Sequence, residues 1–339
     1  MGNPTSWPFE RDDPSVAHQK PTVLLDSNIW RYVFDSRAAG PLIRYARNGR
    51  YTILLAPAVL YEALRLEDGP VRDALVHLMT NPAFHRLMPE AYSESMEVLR
   101  EINRTRPDWL RERPDLLFFK RLLNDWRKST GGFWVRCRKN PEREAGYLRA
   151  TEEEMIEQSR AQAIKARKEM IEGNWKRNVA MDKTLVTFPS SLPGWRGDKV
   201  EAWRVDALTI LTHALGRSGN PYRDWIAPFL ELDDGLLHSA AWVEFWLYMA
   251  DGQALARQWI RWATSFAQRF RTVTTGTPGD SQLSTYFLEA DLIISADKAL
   301  ISVLDEIRPF APCRLCRGIL VPAGPVGVSA VFSYLSSTA

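Results

Sequence analysis

Three short apolar runs stand out near the two ends of the chain. They are Thr22-Val23-Leu24-Leu25, the stretch 51–55, and Leu292-Ile293-Ile294. None alternates with polar residues, and continuous apolar runs of this length mark strands buried on both faces of a parallel sheet. The pattern predicts a strand over 21–26, helices over 28–35 and 39–48, and a second strand over 51–55. The second helix ends at Asn48-Gly49. Pro57 opens the next helix, where its missing N–H would have no partner anyway. That helix runs to about Leu66, and Glu67-Asp68-Gly69-Pro70 breaks it. Near the other end the same pattern returns: helix 281–289, strand 292–295, helix 298–306 and strand 318–321.

The stretch between is dominated by helical periods. Thr151-Glu152-Glu153-Glu154 is a capping-box pattern and predicts a helix start. Residues 201–215 read as a helix with Gly216 as its cap. Trp259, Trp262, Phe266 and Phe270 recur at spacings of three and four, the stripe of a buried helix face. Neither α/β piece can cover both faces of its strands alone. They are expected to assemble into one discontinuous domain, 21–69 with 270–325. A lead over 1–20, a helical insertion over 70–269 and a tail over 326–339 complete the expected organisation.

Composition changes this picture little. With 339 residues, 45% of them hydrophobic and 13 of them Trp, the chain can bury a large core. A net charge of +3 permits a nucleic-acid partner without demanding one. Three cysteines, Cys137, Cys313 and Cys316, exclude a disulfide scaffold and suit a reducing cytoplasm. The start is polar and proline-rich, unlike a signal peptide. The most apolar helix, near 236–250, is interrupted by His238 and Glu244 and is too short to span a bilayer. The expectation is a cytoplasmic protein with no membrane partner.

Four acidic residues carry the candidate chemistry. Asp26 ends the first strand. Glu62 lies one and a half turns into the helix opened by Pro57. Asp280 follows Gly276-Thr277-Pro278-Gly279, and Asp297 closes Asp291-Leu292-Ile293-Ile294-Ser295-Ala296-Asp297. Open α/β sheets place their sites at the carboxyl ends of strands. Carboxylates gathered there repel one another and suit hard divalent cations. Asp291, just before its strand, competes with Asp280 for the third place.

These residues carry a family resemblance. Leu24-Leu25-Asp26-Ser27-Asn28-Ile29-Trp30 resembles the opening motif of PIN-domain nucleases. Pro57-Ala58-Val59-Leu60-Tyr61-Glu62-Ala63-Leu64 is similar to their second motif. The stretch from Asp280 to Asp297 resembles the third and fourth together, with Ser295-Ala296-Asp297 in place of Thr-x-Asp. The resemblance covers roughly 20–68 and 270–325 and leaves the middle uncovered. It implies a mainly parallel PIN-like sheet flanked by helices, and a metal-dependent endoribonuclease using Mg²⁺ or Mn²⁺. Asp26, Glu62, Asp280 and Asp297 would be both catalytic and metal-site residues. Ser27, Asn28 and Ser295 would orient ligands or waters. Prokaryotic relatives of this kind act as toxins with antitoxin partners, in RNA processing and in defence; this chain is much longer than a small toxin. Two other readings stay open: a structure-dependent DNA nuclease, since related folds cut flap DNA, and a non-catalytic scaffold binding RNA or a protein.

Other residues offer weaker chemistry. Arg136, Arg138 and Lys139, and Lys165, Arg167 and Lys168, are the densest points of a basic stretch. Trp126, Phe133, Trp134 and Trp175 lie nearby. Such residues can hold phosphates and stack bases, or they can form a solvated helix face. Cys313-Arg314-Leu315-Cys316 has zinc-like spacing but lacks a second pair. His77, His85, His213 and His238 fall in stretches read as helical and suit packing or surface roles. Glu231-Leu232-Asp233-Asp234 reads as a solvated loop.

Overall fold

The computed structural model describes residues 7–9, 20–172, 181, 184–188, 191–270 and 277–336. Its strands are β1 (Thr22–Leu25), β2 (Thr52–Leu55), β3 (His85–Arg86), β4 (Leu185–Val186), β5 (Val200–Glu201), β6 (Leu292–Ser295) and β7 (Arg317–Leu320). Five of them form a sheet in the order β3-β2-β1-β6-β7, and every pairing in it is parallel. β4 and β5 make a separate antiparallel pair. Strands β1 and β6 are buried along their whole length, as their unbroken apolar runs require.

Helices α1 (Ser27–Asp35) and α2 (Ala39–Asn48) connect β1 to β2. Helices α3 (Pro57–Leu64) and α4 (Gly69–Met79) connect β2 to β3. The middle supplies α5 (Glu90–Thr105), α6 (Leu116–Arg127), α7 (Phe133–Lys139), α8 (Pro141–Glu172) and α9 (Ala202–Gly216). It continues with α10 (Pro221–Ile226), α11 (Asp234–Leu237), α12 (Ala240–Glu244) and α13 (Ala256–Arg269). Then come α14 (Thr277–Ser284), α15 (Lys298–Ile307) and α16 (Gly324–Ser336).

The strand order places a switch point between β1 and β6. From β1 the chain steps to β2 and β3 in one direction; from β6 it steps to β7 in the other. With right-handed crossovers, α1 to α4 lie over one face and α15 over the other. Accordingly α1 packs on α3, α4 and α16, whereas α15 packs on α13. A crevice at the carboxyl ends of β1 and β6 is the expected consequence.

Several expectations change. The sheet takes its edge strand β3 from residues 85–86, inside the stretch read as an insertion, so His85 is a strand residue. The middle is mainly helical, yet it has no core of its own: Leu99, Phe229 and Trp259 belong to the same buried cluster as Leu24 and Ile293. Residues 326–336, read as a tail, are the body of α16, and Tyr45 Oη donates to Leu335 O. The capping-box residue Thr151 lies ten residues inside α8, which starts at Pro141; a local cap pattern yields to a helix already running. Gly216 is the last residue of α9, with Arg217 at the cap. The helix read at 281–289 is α14 followed by a tighter turn, Thr285–Leu288. Among the described residues, no helix is long and apolar enough to cross a membrane.

Candidate carboxylate site

The register of the sheet builds the centre of the site. Leu25 lies opposite Ile294, and Asp26 N–H donates to Ile294 O (3.1 Å). Asp26 therefore leaves β1 beside Ser295, the last residue of β6. Ser295 Oγ donates to Asp26 Oδ2 (2.5 Å), and Asn28 Nδ2 donates to the same oxygen (2.6 Å). Ser27 N–H and Oγ reach Asp26 Oδ1 at 2.7 and 3.3 Å. Asp26 is 5% exposed and also caps α1. Asn28 spans the seam: its Oδ1 accepts from Ala296 N–H (3.1 Å), and its Nδ2 lies 3.2 Å from Ser295 Oγ. Trp30 Nε1 donates to Leu25 O (3.1 Å), fixing the turn from strand to helix.

Asp297 follows one residue after Ala296. Its N–H donates to Ser295 Oγ (2.8 Å), and its Oδ1 accepts from Ala299 and Leu300 N–H (2.6 and 3.2 Å), capping α15. Glu62 arrives from α3, whose strand β2 pairs with β1. The Ser27 hydroxyl reaches Glu62 as well as Asp26, and one hydroxyl proton can serve only one of them at a time. Asp280 sits in the first turn of α14. A side chain at Gly279 would bring its Cβ to 2.5 Å from Glu62 Oε1, so the bare backbone there admits the Glu62 carboxylate. Gln268 Nε2, on α13, donates to Asp280 Oδ2 (3.3 Å).

Electrostatics tie the four acids together. The Asp280 carboxyl is pushed up to about 8, first by burial and then by the charges of Asp26, Asp297 and Glu62. Burial also raises Asp26; the bonds from Ser295 and Ser27 oppose it, and the charge of Asp297 adds to it. Glu62 is raised by burial and by Asp26, against the Ser27 bond and the Arg65 charge. Among the described residues, no group of three or more His, Cys, Asp or Glu side chains is arranged to hold a metal ion as it stands. The bonds show why: Asp26 spends both oxygens on four donors, and Asp297 Oδ1 is occupied as a helix cap. The donor chemistry nevertheless suits a hard cation, being all oxygen, with like charges that raise one another.

The remaining candidates fall elsewhere. Asp291 stands at the opposite end of β6, where Oδ2 accepts from Thr22 N–H (2.9 Å) and Oγ1 (3.1 Å); it locks the start of β1 to β6. Arg136 forms a two-pronged pair with Asp125 (2.5 and 3.0 Å) and reaches Glu144 at 3.4 Å. Arg138 meets Thr80 O and His77 Nε2 (3.3 and 3.0 Å). Both guanidiniums are thus engaged inside the fold. Lys139, Lys165 and Lys168 are exposed, Arg167 is half-buried, and Lys168 lies 3.8 Å from Glu172. Trp126 packs at a tilt on Phe133, Trp134 meets both edge-on, and Phe133 packs edge-on against Tyr61 (6.0 Å), the neighbour of Glu62. Trp175 lies outside the described residues. Trp259, Trp262 and Phe266 are buried core. The cysteines are free; burial pushes Cys313 up to about 11 and Cys316 to about 12, far from thiolate chemistry. His213 meets Arg217, His238 lies at the end of α11, and Asp233 caps α11.

Gln268 and Gly279 were not singled out by the sequence. Gln268 follows a core stripe on a helix with no motif, and Gly279 reads as an ordinary turn glycine. Comparison with family models, with curated proteins and with solved structures finds no match to this chain.

Proposed function

We propose that the chain is a metal-dependent phosphodiesterase of PIN-like type that cleaves RNA. The observation that carries this reading is geometric: Ser295 Oγ donates to Asp26 and accepts from Asp297 N–H, and the backbone at Gly279, next to Asp280, lies against the Glu62 carboxylate. Among the described residues, the charges acting on Asp280 are those of Asp26, Asp297 and Glu62, and all three add to burial in raising it. Such a group is costly to ionise unless a cation joins it.

In this reading Asp26, Asp297, Glu62 and Asp280 are the residues that would hold Mg²⁺ or Mn²⁺ at the strand ends. The bound ion would supply charge neutralisation on the phosphodiester and a water of lowered pKa. Ser295 and Asn28 fix the Asp26 carboxylate and keep it aimed at the crevice. Ser27 shares its proton between Asp26 and Glu62, so it can release whichever carboxylate binds more strongly. The exposed Lys165 and Lys168 on α8 would help to guide a phosphate backbone.

The test is cleavage of labelled single-stranded RNA beside DNA of the same sequence, with Mg²⁺ or Mn²⁺ and with chelator. Cleavage of RNA that stops in EDTA is the expected result. Preference for flap DNA would replace the substrate class. Binding without cleavage under every cation would replace the enzyme with a scaffold.

A further inference from the structure

We infer that Gln268 is a positioning residue of the carboxylate site: from α13 its side-chain amide holds Asp280, so the helical middle of the chain builds part of the site. This rests on the cation reading above. Two polar contacts join α13 to α14 on one face. Gln268 Nε2 donates to Asp280 Oδ2 (3.3 Å), and one turn earlier Ser265 Oγ lies 3.4 Å from Ser281 Oγ.

Helix α13 is well placed to act as a fixed arm. Its first two turns are clamped by buried charge: Arg257 pairs with Glu97 and Glu289, and Arg261 pairs with Glu94. Gln258 Nε2 also donates to Glu94 (2.7 Å). Its aromatic stripe is buried along the same helix. The clamped end thus sets where the other end presents Gln268.

The choice of an amide is chemically informative. An arginine or lysine at this position would neutralise Asp280 and compete with a cation. Glutamine gives one N–H to one carboxylate oxygen and leaves the negative charge in place. Without that bond, Asp280 is free to swing away from three like-charged neighbours, and a cation must order it again on binding. Loss of a partner that orients a metal ligand weakens metal binding by about 10- to 100-fold.

The experiment measures Mn²⁺ binding to the full chain by calorimetry, alongside a thermal melt in EDTA. Gln268→Met keeps the volume and removes the donor; it is expected to weaken Mn²⁺ binding about tenfold while the melt in EDTA stays close to wild type. Gln268→Lys is expected to weaken it further, by placing a competing charge at Asp280. Ser265→Ala removes the other contact between the same helices and is expected to stay within about twofold, since Ser281 is not a site carboxylate. Unchanged Mn²⁺ affinity in both Gln268 variants overturns this assignment alone. So does an equal loss in Ser265→Ala, which would make helix packing the cause. Wild-type protein that binds no Mn²⁺ overturns the cation reading, and this assignment with it.

Discussion

Two groups of buried acids lie in this molecule, and they are balanced differently. Between α5 and α13, Glu94, Glu97 and Glu101 are almost fully buried, and each meets an arginine: Arg261, Arg257 and Arg104. Glu101 also accepts from Asp251 N–H (2.7 Å), and Tyr222 joins Arg261 (2.7 Å). Burial raises Glu97, but Arg257 opposes it by charge and by hydrogen bonds. At the strand ends, the charges that act on Asp280 among the described residues, those of Asp26, Asp297 and Glu62, are like its own. A buried charge that is paired holds elements together; a buried charge left among its own kind destabilises the fold unless something cationic arrives. The first arrangement is structural. The second is what a cation-dependent site requires.

The largest expected effect is on chemistry. Asp297→Asn and Asp26→Asn keep a capping side chain, since asparagine caps helices as well as aspartate. Each is expected to lower RNA cleavage by about a thousandfold, or about 4 kcal/mol. The thermal melt is expected to change little for Asp297→Asn and to fall for Asp26→Asn, whose NH2 replaces a buried oxygen that accepts two hydrogen bonds. A folded Asp26→Asn protein with full activity would show that the strand-end acids are ordinary caps.

Next comes the paired group. Arg257→Leu leaves Glu97 and Glu289 buried without their partner and is expected to destabilise by about 3 kcal/mol or more, read by urea denaturation. A loss below about 1 kcal/mol would mean that the seam behaves like surface ion pairs, and the contrast between the two regions would collapse.

A smaller effect is on the pH dependence of stability. Asp280 has a native value near 8 against an unfolded value near 3.8. Between those values the native state keeps a proton that the unfolded state has lost. Stability therefore falls as pH rises from about 4 to about 8 and then levels, with a slope of at most about 1.4 kcal/mol per pH unit for one proton. Asp280→Asn is expected to flatten that slope and to be more stable than wild type at pH 8 in EDTA. Added Mg²⁺ is expected to stabilise wild type more at pH 8 than at pH 5.5, because it binds the ionised form. Urea melts at several pH values, with and without Mg²⁺, decide it; an identical slope in Asp280→Asn would remove the coupling.

The smallest effect lies at the surface. Replacing Lys165 and Lys168 by glutamine is expected to change stability by less than about 0.5 kcal/mol. If α8 guides RNA, the change also lowers the slope of log affinity against log salt by about one per lost phosphate contact. A salt titration of RNA binding reads it. An unchanged slope would locate the RNA path elsewhere.

The sequence by itself determined β1, β2, β6 and β7 and the helices next to them. Val23, Leu24 and Leu25 form an apolar run too short for a helix and too continuous for an exposed strand, and local chemistry settles such cases. That Asp26 and Asp297 stand at the carboxyl end of the sheet was legible for the same reason, since both follow apolar runs that form buried strands. Asp291, read as lying just before its strand, serves the amino end of β6. Tertiary structure decided the rest. Glu94 and Glu97 have the spacing of a solvated helix face; only the approach of α13, some 160 residues later, pairs them, whereas Glu101 meets Arg104 on its own helix. Arg136 and Arg138 read as free cations until Asp125 and Thr80 came within reach. Gly279 and Gln268 matter through contacts with Glu62 and Asp280 that no local pattern encodes. Charge is written in the sequence, but its balance depends on distance, and distance is set only when the chain is packed.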